Sequence, residues 1–349
     1  MKIVNNYLHS MYDSKTDASE SIDGILNDFS LIIPDGMEDV LDDPVGRIGF
    51  NSLISDLVDI LSGGMPGFVS FFLLLFGCAV LLLLVGQLGD GISAGAKGGV
   101  SVSVGAVILI RLFPLLTSSA DIVREVGEFF SLLIPIISGG AALSGGAVAA
   151  SSLSGMTVTA SFIGGATSLL FPLVGASMIV GVLSAISSDV TPAPLDGIRK
   201  NLVRVFGIIS AVIGGLFSLQ TSVASVRDGA TIRALRYAVG NTIPVVGGVV
   251  SGTLSTLGGG LGYAMGVIGG GGVAVMLSLA LSPILELLLY RLAFFVVGLF
   301  LDLFPATEGT RVISALAGGL DALIGTLSLS VAVYMLEAVL VMKGVVSIL

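Results

Sequence analysis

The sequence predicts an all-α, polytopic integral membrane protein with about seven to nine transmembrane or re-entrant helices of about 20 residues each. Three observations carry this. The chain of 349 residues is 54% hydrophobic and only 11% charged, against about 25% charged in a soluble domain, so charges are too few to cover a globule. Two long stretches, Phe129 to Ser188 and Tyr237 to Leu285, contain no charged side chain. The net charge of −9 is confined to one end: residues 1–59 hold three basic side chains (Lys2, Lys15, Arg47) against twelve acidic ones, and from Ile60 onward the signs balance. The chain therefore divides into an acidic, water-facing region, 1–64, and a polytopic membrane body, 65–349. A basic nucleic-acid-binding surface is excluded, and Cys78 alone cannot build a disulfide framework.

In the acidic region, Lys2-Ile3-Val4 runs into Asn5-Asn6, without the apolar stretch of a secretory leader. Two short amphipathic helices are expected. Ile22, Ile25, Leu26 and Phe29 share one helical face, with Pro34 as a stop; Leu53, Ile54, Leu57, Ile60 and Leu61 share another, with Asn51 as N-cap and Gly63-Gly64 as the end. Their polar faces are acidic, which opposes docking on anionic lipid. Two readings stand: a surface for partner proteins, or a solvated collar on the protein's own membrane helices.

The membrane body offers Pro66 to Leu88 as its clearest span, followed by candidates at 99–119, 129–150, 157–186, 203–222, 241–264, 270–300 and 323–347. Pro114, Pro135, Pro172, Pro244 and Pro283 lie inside these spans, where each removes a backbone donor and kinks or breaks a helix. Such breaks survive in lipid where neighbouring helices or a watery cavity satisfy the freed groups. Glycine pairs accompany them, among them Gly139-Gly140, Gly164-Gly165 and Gly247-Gly248. Small residues at this density let helix backbones approach closely; broken helices around a substrate or ion path are the functional alternative.

A faint internal repeat links candidate units 98–186 and 202–290. Leu112-Phe113-Pro114-Leu115 recurs as Leu216-Phe217-Ser218-Leu219, Ile134-Pro135 as Ile243-Pro244, and Ile163-Gly164-Gly165 as Ile268-Gly269-Gly270, at offsets of 104, 109 and 105. Three spans per unit would invert the second unit, as in many transporters. Loop charge conflicts with a single crossing at 203–222, because Arg199, Lys200 and Arg204 precede it while Arg227, Arg233 and Arg236 follow.

Chemistry is constrained by elimination. His9 is the only histidine and lies in the acidic region, which removes an intramembrane zinc protease with paired His ligands and a Ser–His dyad. There is no Gly-x-x-x-x-Gly-Lys-Ser/Thr loop. The expectation is a non-enzyme with no cofactor and no metal. The ionisable and polar side chains in or beside spans are Arg111, Gln220, Glu286, Arg291 and Glu337. Each is costly in lipid. They suit a polar path or an interior ion pair, such as Arg111 or Arg291 with Glu286 or Glu337; the plainer reading is snorkelling for the arginines and a helix-to-helix hydrogen bond for Gln220. Glu337 is too short to snorkel far.

The segment Val226-Arg227-Asp228-Gly229-Ala230-Thr231-Ile232-Arg233, followed by Gly240-Asn241-Thr242-Ile243-Pro244-Val245-Val246-Gly247, resembles the signature of the stage III sporulation protein AE family: an Asp-Gly-x-Thr-x-Arg stretch leading into Gly-Asn-x-Ile-Pro-Val-Val-Gly. Ser218-Leu219-Gln220 and Tyr290-Arg291-Leu292-Ala293 are similar as well, the family often having Lys at the Arg291 position. Family members begin with a signal peptide, a pattern from which this chain departs. The resemblance implies a subunit of the channel complex that links mother cell and forespore after engulfment and sustains late forespore gene expression. It implies residence in the mother-cell membrane around the forespore. The implied partners are sister stage III proteins, including a secretion-type ATPase and ring-forming proteins between the membranes; a homo-oligomer is compatible. It also directs attention to Asp228, Gly229, Thr231, Arg233, Gly240, Asn241 and Pro244, as a polar contact at a helix break and the return into the bilayer, or simply as caps and turns. A secondary transporter or permease subunit for a small solute and a structural scaffold are the alternatives.

Overall fold

Helices dominate because few residues in the membrane body can satisfy a backbone in any other way within lipid. The computed structural model describes residues 50–87, 94–144, 146–184, 203–213, 247–304 and 307–346, with isolated positions 197, 201 and 215. Six helices occur among them: α1 (Phe50–Gln87), α2 (Ala94–Ser144), α3 (Gly146–Leu183), α4 (Val203–Ile213), α5 (Gly247–Asp302) and α6 (Thr307–Val346). Five are long and apolar enough to cross a membrane, and α4 is a shorter apolar helix.

That count is lower than the seven to nine expected, and fusion explains part of the difference. The candidate spans 99–119 and 129–150 fall on one continuous helix, α2, up to Ser144, and 241–264 and 270–300 fall largely on α5. The charged run Asp121, Arg124, Glu125 and Glu128, which separates the first two on a hydropathy profile, is an exposed stripe on an unbroken helix. With 51 and 56 residues, α2 and α5 extend about 76 and 84 Å at 1.5 Å per residue, more than twice a hydrocarbon core of about 30 Å. Similarly, α1 runs through Gly63-Gly64 and Pro66, where a helix end was expected. Pro114, Pro135, Pro172 and Pro283 also lie inside continuous helices. Pro244 and the Ile22–Phe29 pattern lie outside the described residues.

Close contacts fix the direction of every helix. A Cβ added at Gly105 would meet Val182 Cγ1 at 2.5 Å and Val312 Cγ1 at 3.0 Å, while one at Gly127 would meet the Tyr334 hydroxyl at 2.9 Å. The pairs 105 with 312 and 127 with 334 advance together, so α2 and α6 are parallel. Gly181 faces Ala315 and Gly319 faces Met178, which makes α3 antiparallel to α6. Val203 approaches Gly325 and Gly207 approaches Leu329, setting α4 parallel to α6. Phe71 packs on Tyr290 and Phe294, with ring centroids 4.4 and 5.8 Å apart, and Phe76 packs on Phe300 at 4.9 Å, so α1 follows α5. Successive helices thus alternate in direction throughout.

Within the candidate unit 98–186 the described residues form two long helices, α2 and α3. Much of the candidate unit 202–290 lies outside the described residues; its first described helix, α4, runs the same way as α2. The core threads between α2, α3, α5 and α6 and includes Phe130, Phe294, Ile108, Met156 and Leu133. Large apolar side chains such as Leu169, Ile110, Leu73 and Phe295 lie on the outside, as a lipid-facing surface permits and a water-facing one does not.

Candidate functional site

Polar side chains gather at two levels of the bundle. At the first, Arg291 on α5 donates from Nε to Asp321 Oδ1 on α6 at 2.5 Å. Its neighbour Tyr290 packs with its ring tilted against Phe71, and Glu286 on α5 and Arg111 on α2 both lie close enough to Tyr290 to act on it electrostatically. Glu286 and Arg111 themselves are exposed on the bundle. The antiparallel course of α2 and α5, marked by Leu133 against Gly272 at 3.2 Å, is what brings residue 111 to the level of 290.

The second level lies 16 residues further along α6, about 24 Å away. Glu337 is 2% exposed, and both its carboxylate oxygens are enclosed without a hydrogen-bond partner. Thr159 on α3 is near enough to influence the carboxyl group, yet its Oγ1 is also buried and unbonded. The register that sets Gly181 against Ala315 and Met178 against Gly319 places Thr159 opposite Glu337. One turn before Glu337, Tyr334 is 2% exposed, packs on Phe130 at 4.9 Å and abuts Gly127.

Tyr334 also lines a cavity of about 1140 Å³ between α2 and α3. Its walls are largely apolar, including Leu116, Phe171 and Ile179; Asp121, Arg124 and Glu128 mark its charged side. Arg124 Nε donates to Glu128 Oε1 at 2.8 Å within a single helical turn. Among the described residues, no group of three or more His, Cys, Asp or Glu side chains could hold a metal ion.

The structure therefore separates the polar residues that the sequence singled out. Arg291 finds Asp321, a partner that sequence reading passed over because Asp321 falls just before the candidate span at 323–347. Glu337 is enclosed, and Thr159 and Tyr334 join it; neither carries a formal charge, so no charge-based reading would find them. Gln220, Asp228, Gly229, Thr231, Arg233, Gly240, Asn241 and Pro244 lie outside the described residues.

Comparison with known proteins adds a family. The family model for stage III sporulation protein AE matches residues 47–345. Stage III sporulation protein AE of Bacillus subtilis (strain 168) is 23% identical over 229 residues, covering 63% of this chain and 57% of that protein. The match thus spans a little over half the length of that relative. No solved structure matches the chain. With the family model running from ahead of α1 almost to the end of α6, the chain belongs to the stage III sporulation protein AE family.

Proposed function

We propose that this protein is a non-enzymatic membrane subunit of the channel complex that connects mother cell and forespore after engulfment, held in the mother-cell membrane. The family match across residues 47–345 carries the reading. The architecture supports it in one respect: α2 and α5 are far longer than the hydrocarbon is thick, so the same helices that anchor the protein continue beyond the lipid. Projecting helix ends suit docking to a cytoplasmic secretion-type ATPase on one side or to ring-forming proteins between the membranes on the other.

Deletion of the gene in its spore-forming host tests the proposal. Engulfment is expected to finish normally, late forespore reporter expression to collapse, and heat-resistant spores to be lost. Normal spores accompanied by a nutrient-uptake defect would overturn the channel reading in favour of a solute transporter. Affinity purification of the tagged protein from sporulating cells is expected to retain the secretion-type ATPase.

A further inference from the structure

Burying an ionised carboxylate with neither a cation nor hydrogen-bond donors is strongly unfavourable. Glu337 comes close to that position: its two oxygens make no hydrogen bond of ordinary geometry, it is 2% exposed, and the single hydroxyl near enough to bond it, that of Thr159, could offset only one of its lone pairs and is itself unbonded. Among the described residues, the surrounding elements supply no compensating charge. On α4, whose register with α6 pairs Val203 with Gly325 and Gly207 with Leu329, Arg204 lies about three turns short of the level of Glu337; Gln220, Arg227, Asp228, Arg233 and Arg236 lie outside the described residues. On α2, Asp121, Arg124, Glu125 and Glu128 are all exposed, and Arg124 is already engaged by Glu128. The sequences of α3 and of α5 from Gly247 to Leu285 have no charged residue. The defined contact of α1 with α6 is Leu82 against Gly309, at the far end of α6; the side chains of Asp56 and Asp59 on α1 lie outside the described residues. On α6 itself the titratable neighbours are Tyr334 and, nearly two turns beyond, Lys343, whose side chain is also outside the described residues.

A bound metal cation does not fit this place. Hard cations take about six oxygen ligands, whereas Glu337 and Thr159 together present three, and the backbone carbonyls of α3 and α6 are committed within their helices. A proton does fit. A protonated carboxyl group gains one O–H donor while keeping an acceptor, and Thr159 Oγ1 is the unbonded acceptor beside it.

We infer that Glu337 is a proton-binding site at the α3–α6 interface, occupied when its carboxyl O–H donates to Thr159 Oγ1 and vacated toward the α2–α3 cavity past Tyr334. Tyr334 fits that part because it touches both places: it lines the cavity and lies one turn before Glu337, close enough to feel its charge. Loss of the proton leaves a charge that the closed interface cannot accommodate, so proton occupancy is linked to how tightly α3 packs on α6. This inference does not rest on the channel reading and survives if that reading fails.

Infrared difference spectroscopy of the full-length protein in lipid vesicles, acidic minus alkaline buffer, tests it. Wild type is expected to show a carboxyl C=O band at the frequency of an acid in apolar surroundings, shifting in heavy water. Glu337→Gln, checked for unchanged elution and helical content, is expected to lose that band entirely. Thr159→Val, which deletes the acceptor and preserves shape, is expected to keep the band and move it to higher frequency; it also carries the test if Glu337→Gln fails to accumulate. The inference is overturned if the wild-type and Glu337→Gln spectra coincide, if the band has the frequency of a water-exposed acid, or if Thr159→Val leaves it unmoved. A band abolished by sodium at constant pH would overturn it in favour of a cation site.

Discussion

Arg291 and Asp321 sit thirty residues apart on the antiparallel arms α5 and α6, joined by an Nε–Oδ1 contact of 2.5 Å. Their side chains are one-third and one-half exposed on the bundle, and on a lipid-facing surface that exposure does not mean hydration. Removing one partner therefore leaves an uncompensated charge in an apolar medium. Each of Arg291→Ala and Asp321→Ala is expected to reduce folded protein in the membrane by about 2–3 kcal/mol, and the double variant to recover much of the loss. A double-mutant cycle on thermal unfolding in detergent reads this. Additive losses would show that water, not Asp321, stabilises the guanidinium.

Glycine is required at position 181 by the neighbour it meets. A Cβ there would stand 2.5 Å from the Cβ of Ala315, a rigid atom with no rotamer by which to withdraw. Gly181→Ala is expected to cost about 1–3 kcal/mol through overpacking, and Ala315→Gly in the same chain to relieve most of it. Gly77 and Gly298 have nothing within 4 Å of the added atom. Alanine at either is expected to be neutral or to stabilise by up to about 1 kcal/mol through helix propensity. Thermal unfolding midpoints separate the two classes.

Tyr334 supplies volume through its ring and a polar tip beside Gly127. Tyr334→Phe keeps the ring packed against Phe130 and is expected to change stability little. Tyr334→Ala opens a void between α2 and α6 and is expected to cost about 3–5 kcal/mol, as for other buried aromatics. Denaturation monitored by helical circular dichroism distinguishes them; equal losses in both variants would place the weight on the hydroxyl.

Cys78 is the only cysteine and is 8% exposed on α1, in the cluster that also holds Phe71, Leu75 and Leu82. A water-soluble maleimide is expected to leave it unmodified in the folded protein and to label it fully after denaturation. Mass spectrometry of the intact chain gives the fraction labelled. Rapid labelling under native conditions would show that α1 separates from α5 on its own.

What the sequence made legible was governed by charge. Glu337 stood out because an acid amid Tyr334-Met335-Leu336 and Ala338-Val339-Leu340 has no ordinary explanation in lipid, and the structure encloses it. Asp321 did not stand out, since hydropathy windows placed the start of the last span just after it while α6 begins at Thr307. Windows report polarity, and a helix continues through a polar stripe as readily as an apolar one; Asp121 to Glu128 on α2 shows this. Thr159 was invisible for a different reason: its significance depends on a helix register set by Gly181 and Gly319, which no local pattern encodes. The candidate repeat depends on counting spans in both units, and residues 216–246 of the second lie outside the described residues.

Alternation of direction from α1 to α6 has a consequence for sidedness. α1 begins at the same end of the bundle at which α6 finishes, so the two poles of the described chain share one compartment, whichever compartment that is. The start of α1 and the last turn of α6 consequently experience the same ionic environment and the same sign of membrane potential. Reporter tags fused at either pole are expected to give identical accessibility, and a tag placed between α5 and α6 the opposite one.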